Sequence, residues 1–279
     1  MRVIVVAKKS SYTQIGEDKA TQNLLLKPAL KKARAVHQRH HAVLDEVLSV
    51  LKRAGIRPWV LDGAGTAFGT ASVDLVITVG GDGTLLAASH YIEKGIPVLG
   101  INSDPKTSVG HFCALKGPLT PELIKFNFPR IQVTRMEVLV RGNSVAKRVL
   151  NEALFSHACP AATSNFKLGS LRRMRDYKCS GVWVGTGAGS TGALRSAGGH
   201  LQKMTSKTLQ AVVRELYDPD RALINPTRIK GPEIKAVSKM TEAVLYLDGP
   251  FLQVPVGLGD TVTFRISKEP LTLLRPILF

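Results

Sequence analysis

Two patterns of apolar and polar positions divide the chain. Near the N terminus, apolar runs at residues 3–7, 58–61 and 75–79 are short and continuous, as in strands buried on both faces. From about residue 31 to residue 54, the apolar positions instead recur at the spacing of a helix. These positions are Val36, His40, Val43, Val47 and Leu51. Strands that alternate with helices in this way predict an N-terminal open parallel α/β sheet domain.

From about residue 118 the runs become short, alternating and β-branched. They cover residues 131–134, 137–140, 149–155, 182–184, 243–247 and 261–266. Regularly spaced runs of this length predict a mostly β, sandwich-like C-terminal domain, interrupted by one helix over residues 206–217. We therefore expect an α/β domain at 1–117 and a β-rich domain at 118–279, with the segment after about residue 265 able to pack back on the first domain.

Composition narrows the possible partners. Lysine and arginine outnumber acidic residues by 38 to 21, which gives a net charge of +17 and favours anionic ligands. No nucleic-acid module accompanies this charge, so we expect nucleotide substrates rather than nucleic acid. No apolar segment approaches the ~20 residues of a membrane span, and we expect no leader before the first run. These features predict a cytoplasmic protein without a membrane partner.

One glycine-rich turn carries the first candidate chemistry. Gly80, Gly81, Asp82, Gly83 and Thr84 follow an apolar run directly and precede a helix-like stretch. Glycines at the carboxyl end of a strand let backbone N–H groups converge on phosphate, and the following helix N terminus favours the same anion. The Asp82 carboxylate would be repelled there unless it met a metal or accepted a proton, which indicates catalysis.

Two further stretches are less specific when each is taken alone. Residues 181–192 are rich in glycine and contain a formal match to a dinucleotide-binding fingerprint. The match is weak, because it lies in the β-rich half of the chain, where no βαβ unit is expected. Asn151 and Glu152 lie side by side in a strand-like run, where adjacent side chains face opposite ways. One solvated and one satisfied buried residue would explain that pair without any ligand.

In this order, the three stretches resemble the NAD kinase family. The matching motifs are Gly-Gly-Asp-Gly-Thr at 80–84, Asn-Glu at 151–152, Thr-x-x-Gly-Ser-Thr at 186–191, Ser-Ala-Gly-Gly at 196–199 and Asp-Gly at 248–249. Residues 97–105, 159–162 and 188–193 are similar to the plant-type NADH kinase branch. The resemblance implies transfer of the ATP γ-phosphate to the 2′-hydroxyl of the adenosine ribose of NAD⁺ or NADH, with Mg²⁺ or another divalent cation bound to ATP.

The resemblance also implies roles for individual residues. Asp82 would be the general base, and no protein residue is assigned as a metal ligand. Dinucleotide and nucleotide contacts would come from the glycine turn and from the second half of the chain. These second-half residues are Asn151, Glu152, Lys178, Ser180, Thr191, Gly192, Ala193 and Ser196. The family also predicts a homodimer or homotetramer.

This chain departs from the usual family pattern near the dinucleotide. Ser180 replaces an aspartate near the nicotinamide, Gly187 replaces a proline, Ala193 replaces a stacking tyrosine, and Pro250 lacks a common glutamine side chain. A carboxylate favours cationic NAD⁺ over neutral NADH by simple attraction. Its absence at Ser180 predicts that NADH is accepted at least as well as NAD⁺.

Two alternatives and three local interpretations stay open at this point. Lipid kinases of the diacylglycerol or sphingosine type carry a related glycine turn, and a non-catalytic dinucleotide sensor could share the fold. The histidines at 37, 40 and 41 are interpreted as a solvated helix face, and the basic residues at 172–178 as a solvated loop. The three cysteines are expected to be reduced and, for the most part, packing residues.

Overall fold

The computed structural model describes residues 1–17, 27–63, 65–116, 128–170, 173–217, 228–250 and 252–275. The chain divides into two compact units, one formed by Met1–Ile131 with Leu271–Phe279 and the other by Gln132–Pro270. The boundary expected at residue 117 falls in 117–127, outside the described residues. None of the helices in the described ranges combines the length and the apolar character that a membrane crossing requires.

The first unit contains one largely parallel sheet. Its strands are β1 (Val3–Ala7), β2 (Trp59–Asp62), β3 (Leu75–Gly80), β4 (Pro97–Asn102), β5 (Leu115–Lys116), β6 (Arg130–Val133) and β19 (Leu271–Leu274). Its described helices are α1 (Ser11–Glu17), α2 (Lys27–Arg53) and α3 (Asp82–Ser89). The strand order is β2-β1-β3-β4-β19-β6, and β5 pairs with β4.

This strand order explains where a ligand can bind. β1 and β3 are neighbours, but the chain leaves β1 towards β2 on one side and leaves β3 towards β4 on the other. Such a reversal opens a crevice at the carboxyl ends of the two strands, which is where open α/β sheets bind ligands. All residues of β1 and β3 are buried. α2 packs Leu44, Val47 and Leu51 into the same core, so the crevice is built on a rigid base.

The second unit consists of antiparallel strands. They are β7 (Met136–Val140), β8 (Asn143–Val149), β9 (Glu152–His157), β10 (Ser164–Ser170), β11 (Arg173–Cys179), β12 (Val182–Gly185), β13 (Leu209–Val213), β14 (Arg228–Gly231), β15 (Glu233–Ser238), β16 (Ala243–Leu247), β17 (Leu252–Val256) and β18 (Thr261–Ile266). A 3₁₀ turn (Gly189–Thr191) and the short helix α4 (Ala193–Ser196) follow β12.

The strands of the second unit form two six-stranded sheets. One has the order β11-β10-β15-β18-β7-β8 and the other the order β14-β13-β12-β9-β16-β17. One apolar core lies between them, in which the rings of Phe155 and Phe166 from the two sheets are 5.4 Å apart. The predicted fold class, a parallel α/β domain followed by a β-sandwich-like domain, is confirmed.

Three local predictions are wrong. The helix expected over residues 206–217 is instead the strand β13, because Leu209, Ala211 and Val213 alternate into the core between two partner strands. The basic stretch thought to be a loop is the strand β11 over Arg173–Cys179, while residue 172 lies outside the described residues. On α2, His40 is only 1% exposed and does not belong to a solvated face.

Candidate active site

The glycine turn of the first unit is shaped by close packing. β3 ends at Gly80, and α3 begins at Asp82 after an extended Gly81 (φ −108°, ψ −168°). A Cβ at Gly80 would overlap the Thr84 side chain, and one at Gly81 would lie 2.8 Å from the Ser108 hydroxyl oxygen. Neither glycine has a positive φ. Gly80 and Gly81 therefore lack a Cβ where the side chains of Thr84 and Ser108 approach the backbone closely. At Gly83, by contrast, no atom lies within 4 Å of a Cβ position.

The Asp82 carboxylate is fixed by the backbone. Its Oδ1 accepts the N–H of Phe112 over 2.8 Å, and its Oδ2 accepts the N–H of His111 over 2.9 Å. A carboxylate has about four acceptor directions, so one on each oxygen remains for a substrate. Because Asp82 is only partly buried, a substrate hydroxyl can reach those oxygens.

Helix α2 holds the segment that surrounds this turn. His40 Nδ1 lies 2.9 Å from the Ser103 hydroxyl, and the Ser103 N–H donates to the Gly80 carbonyl over 3.0 Å. Beside it, Arg39 Nε binds Asp104 Oδ1 at 2.8 Å. Burial lowers the pKa of His40 to about 4, with smaller contributions from nearby cationic groups, so its imidazole is neutral near pH 7.

Lys8 adds a cation that the glycine motif lacks. It follows β1, its N–H donates to the Val79 carbonyl over 2.9 Å, and its Cβ lies 3.1 Å from the position of a Cβ on Gly80. The hydrogen bond from Arg39 lowers the pKa of Asp104, and the charge of Lys8 adds to that effect. Among the described residues no carboxylate forms an ion pair with Lys8. Only the strand order brings Lys8 to this turn, so sequence reasoning missed it.

In the second unit, Asp248 organises the Asn-Glu pair. Its Oδ2 accepts the N–H of Leu150 over 2.7 Å, and its Oδ1 accepts those of Asn151 and Glu152 over 2.8 and 3.1 Å. Asp248 is 4% exposed and has a positive φ of 51°. Three donors of this kind stabilise a buried negative charge. Sequence reasoning noted Asp248-Gly249 as a motif but gave it no role.

The glycines after β12 let the chain approach this pair. A Cβ at Gly185 would lie 2.6 Å from the carbonyl oxygen of Asn151, and one at Gly189 would lie 2.6 Å from Oε2 of Glu152. Thr186 donates its hydroxyl to the Leu150 carbonyl and its N–H to the Asn151 carbonyl. The glycine-rich segment is therefore packed against the Asn-Glu pair, which the sequence could not show.

The side chains of that pair have unused acceptor atoms. Oδ1 of Asn151 and Oε2 of Glu152 are buried without a hydrogen-bond partner among the described residues. Burial, together with the nearby charge of Asp248, raises the pKa of Glu152 to about 7. Buried polar atoms without partners are costly, and a ligand that donates hydrogen bonds would relieve that cost.

Two pockets of the second unit contain part of the predicted set. A pocket of about 480 Å³ is lined by Glu152 and Ser180, and one of about 630 Å³ by Ala193 and Ser196. The remaining residues are not among the lining residues of either pocket. Asn151 is half-buried and directly precedes β9. Thr191 and Gly192 are exposed on the turn that follows β12, and Lys178 lies on β11 over the ring of Tyr217. The Gly80–Thr84 residues lie in the first unit.

Comparison with known proteins identifies the family. Residues 2–116 match the family model described as the ATP-NAD kinase N-terminal domain. The chain is 33% identical over 232 residues to a probable NADH kinase from rice, Oryza sativa subsp. japonica, with 73% of this chain and 71% of the rice protein covered. An NADH kinase from Arabidopsis thaliana is 35% identical, with 71% and 70% covered. The chain belongs to the NAD kinase family.

Solved NAD kinase structures agree in fold. An Archaeoglobus fulgidus NAD kinase in complex with ATP superposes with a TM-score of 0.69 at 20% identity, over 99% of this chain and 94% of that chain. A yeast NADH kinase complexed with NADH gives a TM-score of 0.61 at 15% identity, over 99% and 83%. The resemblance to NAD kinases and to their plant NADH kinase members is confirmed, and the lipid-kinase alternative is rejected.

Proposed function

We propose that this NAD kinase transfers the γ-phosphate of ATP to the 2′-hydroxyl of the adenosine ribose of NAD⁺ or NADH. The observation that carries the proposal is the Asp82 carboxylate, which two backbone N–H groups hold beside a tightly packed glycine turn. A non-catalytic sensor would gain from losing this charge next to phosphate. Retention of the carboxylate therefore favours catalysis over a sensor role.

In the proposed reaction, Asp82 accepts the proton of the ribose hydroxyl as that oxygen attacks the γ-phosphorus and ADP leaves. The acceptor directions not used by His111 and Phe112 are the ones available for this proton. Lys8 and the N terminus of α3 stabilise negative charge on the transferred phosphate. Repulsion between the ATP phosphates and Asp82 would be reduced by a divalent cation bound to ATP, proposed to be Mg²⁺.

The second unit is proposed to bind the dinucleotide. The unpartnered oxygens of Asn151 and Glu152 are suited to donors on the ribose and the adenine. Thr191, Gly192, Ala193 and Ser196 are proposed to line the same site, with Lys178 adding positive charge. Ser180, whose side chain carries no charge that would favour the cationic nicotinamide of NAD⁺ over the neutral ring of NADH, is proposed to permit NADH.

A direct assay tests the proposal. Purified protein is incubated with ATP, Mg²⁺ and NADH, and NADPH is measured by an NADPH-specific coupled enzyme. Formation of NADPH that depends on both ATP and the cation supports the proposal. Dinucleotide binding without NADPH would instead identify a sensor. Parallel reactions with NAD⁺ measure the preference between the two redox forms. Light scattering tests the predicted homodimer or homotetramer, and cell fractionation tests the predicted cytoplasmic location.

A further inference from the structure

Trp183 lies on the face of its sheet that points away from the sandwich core. Its neighbours in β12, Val182 and Val184, are fully buried in the core, so the alternation of the strand turns Trp183 to the opposite face. There it pairs across the sheet with Leu154 of β9, which in turn pairs with Tyr246 of β16. We call Trp183, Leu154 and Tyr246 the apolar row. All three are half-buried.

The two pockets described above, of about 480 and 630 Å³, both include this indole. The 480 Å³ pocket is lined by the whole apolar row, together with Glu152 and Ser180. The 630 Å³ pocket also has Trp183 in its wall. The residues that α4 and its C-terminal end contribute to this pocket have small side chains. Arg214 lines both pockets, and its guanidinium carbon lies 5.9 Å from the centroid of the Trp183 ring. Trp183 is thus a shared wall between two ligand-sized spaces.

We propose that Trp183 is a stacking residue for a planar ring of the dinucleotide. An aromatic ring at the edge of a ligand-sized space, with a few polar groups around it, is typical of small-molecule sites. Glu152 and Ser180 supply polar groups beside the apolar row, and Glu152 carries an unpartnered oxygen. Any planar base that stacks on an aromatic side chain gains binding energy, because every base has a π-face.

The proposal depends on the proposed function, because it takes the dinucleotide as the ligand. Both adenine and nicotinamide are planar, and the shared chemistry is a flat ring that carries an amino or amide group. Trp183 and Trp59 are the only tryptophans of the chain. Trp59 is 60% exposed on β2 in the other unit, so Trp59→Phe leaves Trp183 as the sole indole without altering the proposed site.

Fluorescence of the Trp59→Phe protein tests the contact. Indole emission is recorded during titration with NADH and NAD⁺, while calorimetry on the same samples establishes saturation. We expect strong quenching by both dinucleotides in this variant. ADP-ribose, which lacks nicotinamide, and nicotinamide mononucleotide, which lacks adenine, identify the ring that stacks. Unchanged emission at calorimetric saturation with the full dinucleotides would overturn the inference.

Steady-state kinetics provides the second measurement. Trp183→Ala should raise KM for NADH by about 5- to 100-fold, the effect of losing one base-aromatic stack, while KM for ATP stays the same. Trp183→Phe should restore most of the affinity, and Trp59→Ala is the matched control with unchanged KM. An unchanged KM in Trp183→Ala, with or without a change in oligomeric state, refutes the stacking role. Failure of the wild-type protein to form NADPH would refute the proposed function instead.

Discussion

The carboxylate of Asp248 accepts the backbone N–H of Asn151 over a distance of 2.8 Å. The same carboxylate binds the preceding and following N–H groups, of Leu150 and Glu152, so one buried charge fixes the turn that leads into β9. The backbone at Asn151 and Glu152 is therefore held by a residue that follows β16 and is distant in sequence. Asp248 is a positioning residue for the proposed dinucleotide contacts.

Asp248→Asn should lower both stability and activity. The amide offers one acceptor oxygen and turns its NH₂ group towards backbone donors, so at least one buried N–H loses its partner. Each such loss costs about 1–3 kcal/mol, and chemical denaturation measures it. We also expect KM for the dinucleotide to rise, because the Asn-Glu pair is no longer held.

Asp176→Asn, at an exposed surface ion pair with Lys239, is the control and should change stability by less than about 0.5 kcal/mol. Equal effects of the two variants would contradict the positioning role.

Contiguous features were predictable from the sequence, and contacts between distant segments were not. Gly80–Thr84 was recognised because strand, turn, acid and helix start follow one another directly. The interaction of Asp248 with Leu150 depends on β16 lying beside β9, and local sequence does not encode that pairing. The same limit explains the error at 206–217, where pairing with two partner strands forms β13 in place of the predicted helix.

Asp82→Asn should reduce kcat by about 10²- to 10⁴-fold, the usual contribution of a general base. The variant keeps the size of the side chain and one acceptor for the N–H groups of His111 and Phe112, so dinucleotide binding measured by calorimetry should persist. Asp45→Asn, on the exposed face of α2, is a charge-matched control with unchanged kcat. Turnover of Asp82→Asn at the wild-type rate would remove Asp82 from the proposed chemistry.

Ser180→Asp should shift the redox preference towards NAD⁺. Ser180 lines the 480 Å³ pocket, and a carboxylate there would attract the cationic nicotinamide but not the neutral reduced ring. Unit charges about 4 Å apart in water interact by roughly 1 kcal/mol, so the ratio of kcat/KM for NAD⁺ to that for NADH should rise about fivefold. Ser180→Asn adds a similar volume without charge and should leave the ratio unchanged. A wild-type enzyme that already prefers NAD⁺ strongly would contradict the NADH prediction.

Lys8→Met should weaken use of ATP more than use of the dinucleotide. Its Cβ lies next to the Gly80 position, and hydrogen bonds to charged groups contribute about 1.5–3 kcal/mol, or roughly 10- to 100-fold in kcat/KM for ATP. The salt dependence of kcat/KM for ATP should also decrease, since one cation near the phosphates is gone. Lys94→Met removes a charge from the loop before β4, at the amino ends of the parallel strands, and should behave as wild type. Equal losses in both variants would indicate a general charge effect.

Glu152 should make stability depend on pH in a direction opposite to that of most acidic residues. Burial raises its pKa to about 7 in the folded protein from an ordinary value of 4.5. Between these values the folded state binds a proton that the unfolded state has released, so rising pH from about 4.5 to about 7 destabilises the fold, with no further change above that window. Glu152→Gln cannot ionise and should lack this slope. Denaturation of both proteins across the window measures the difference, and the exposed Glu242→Gln is the control. If the free energies of unfolding of the wild-type and Glu152→Gln proteins differ by the same amount at every pH, the raised pKa is contradicted.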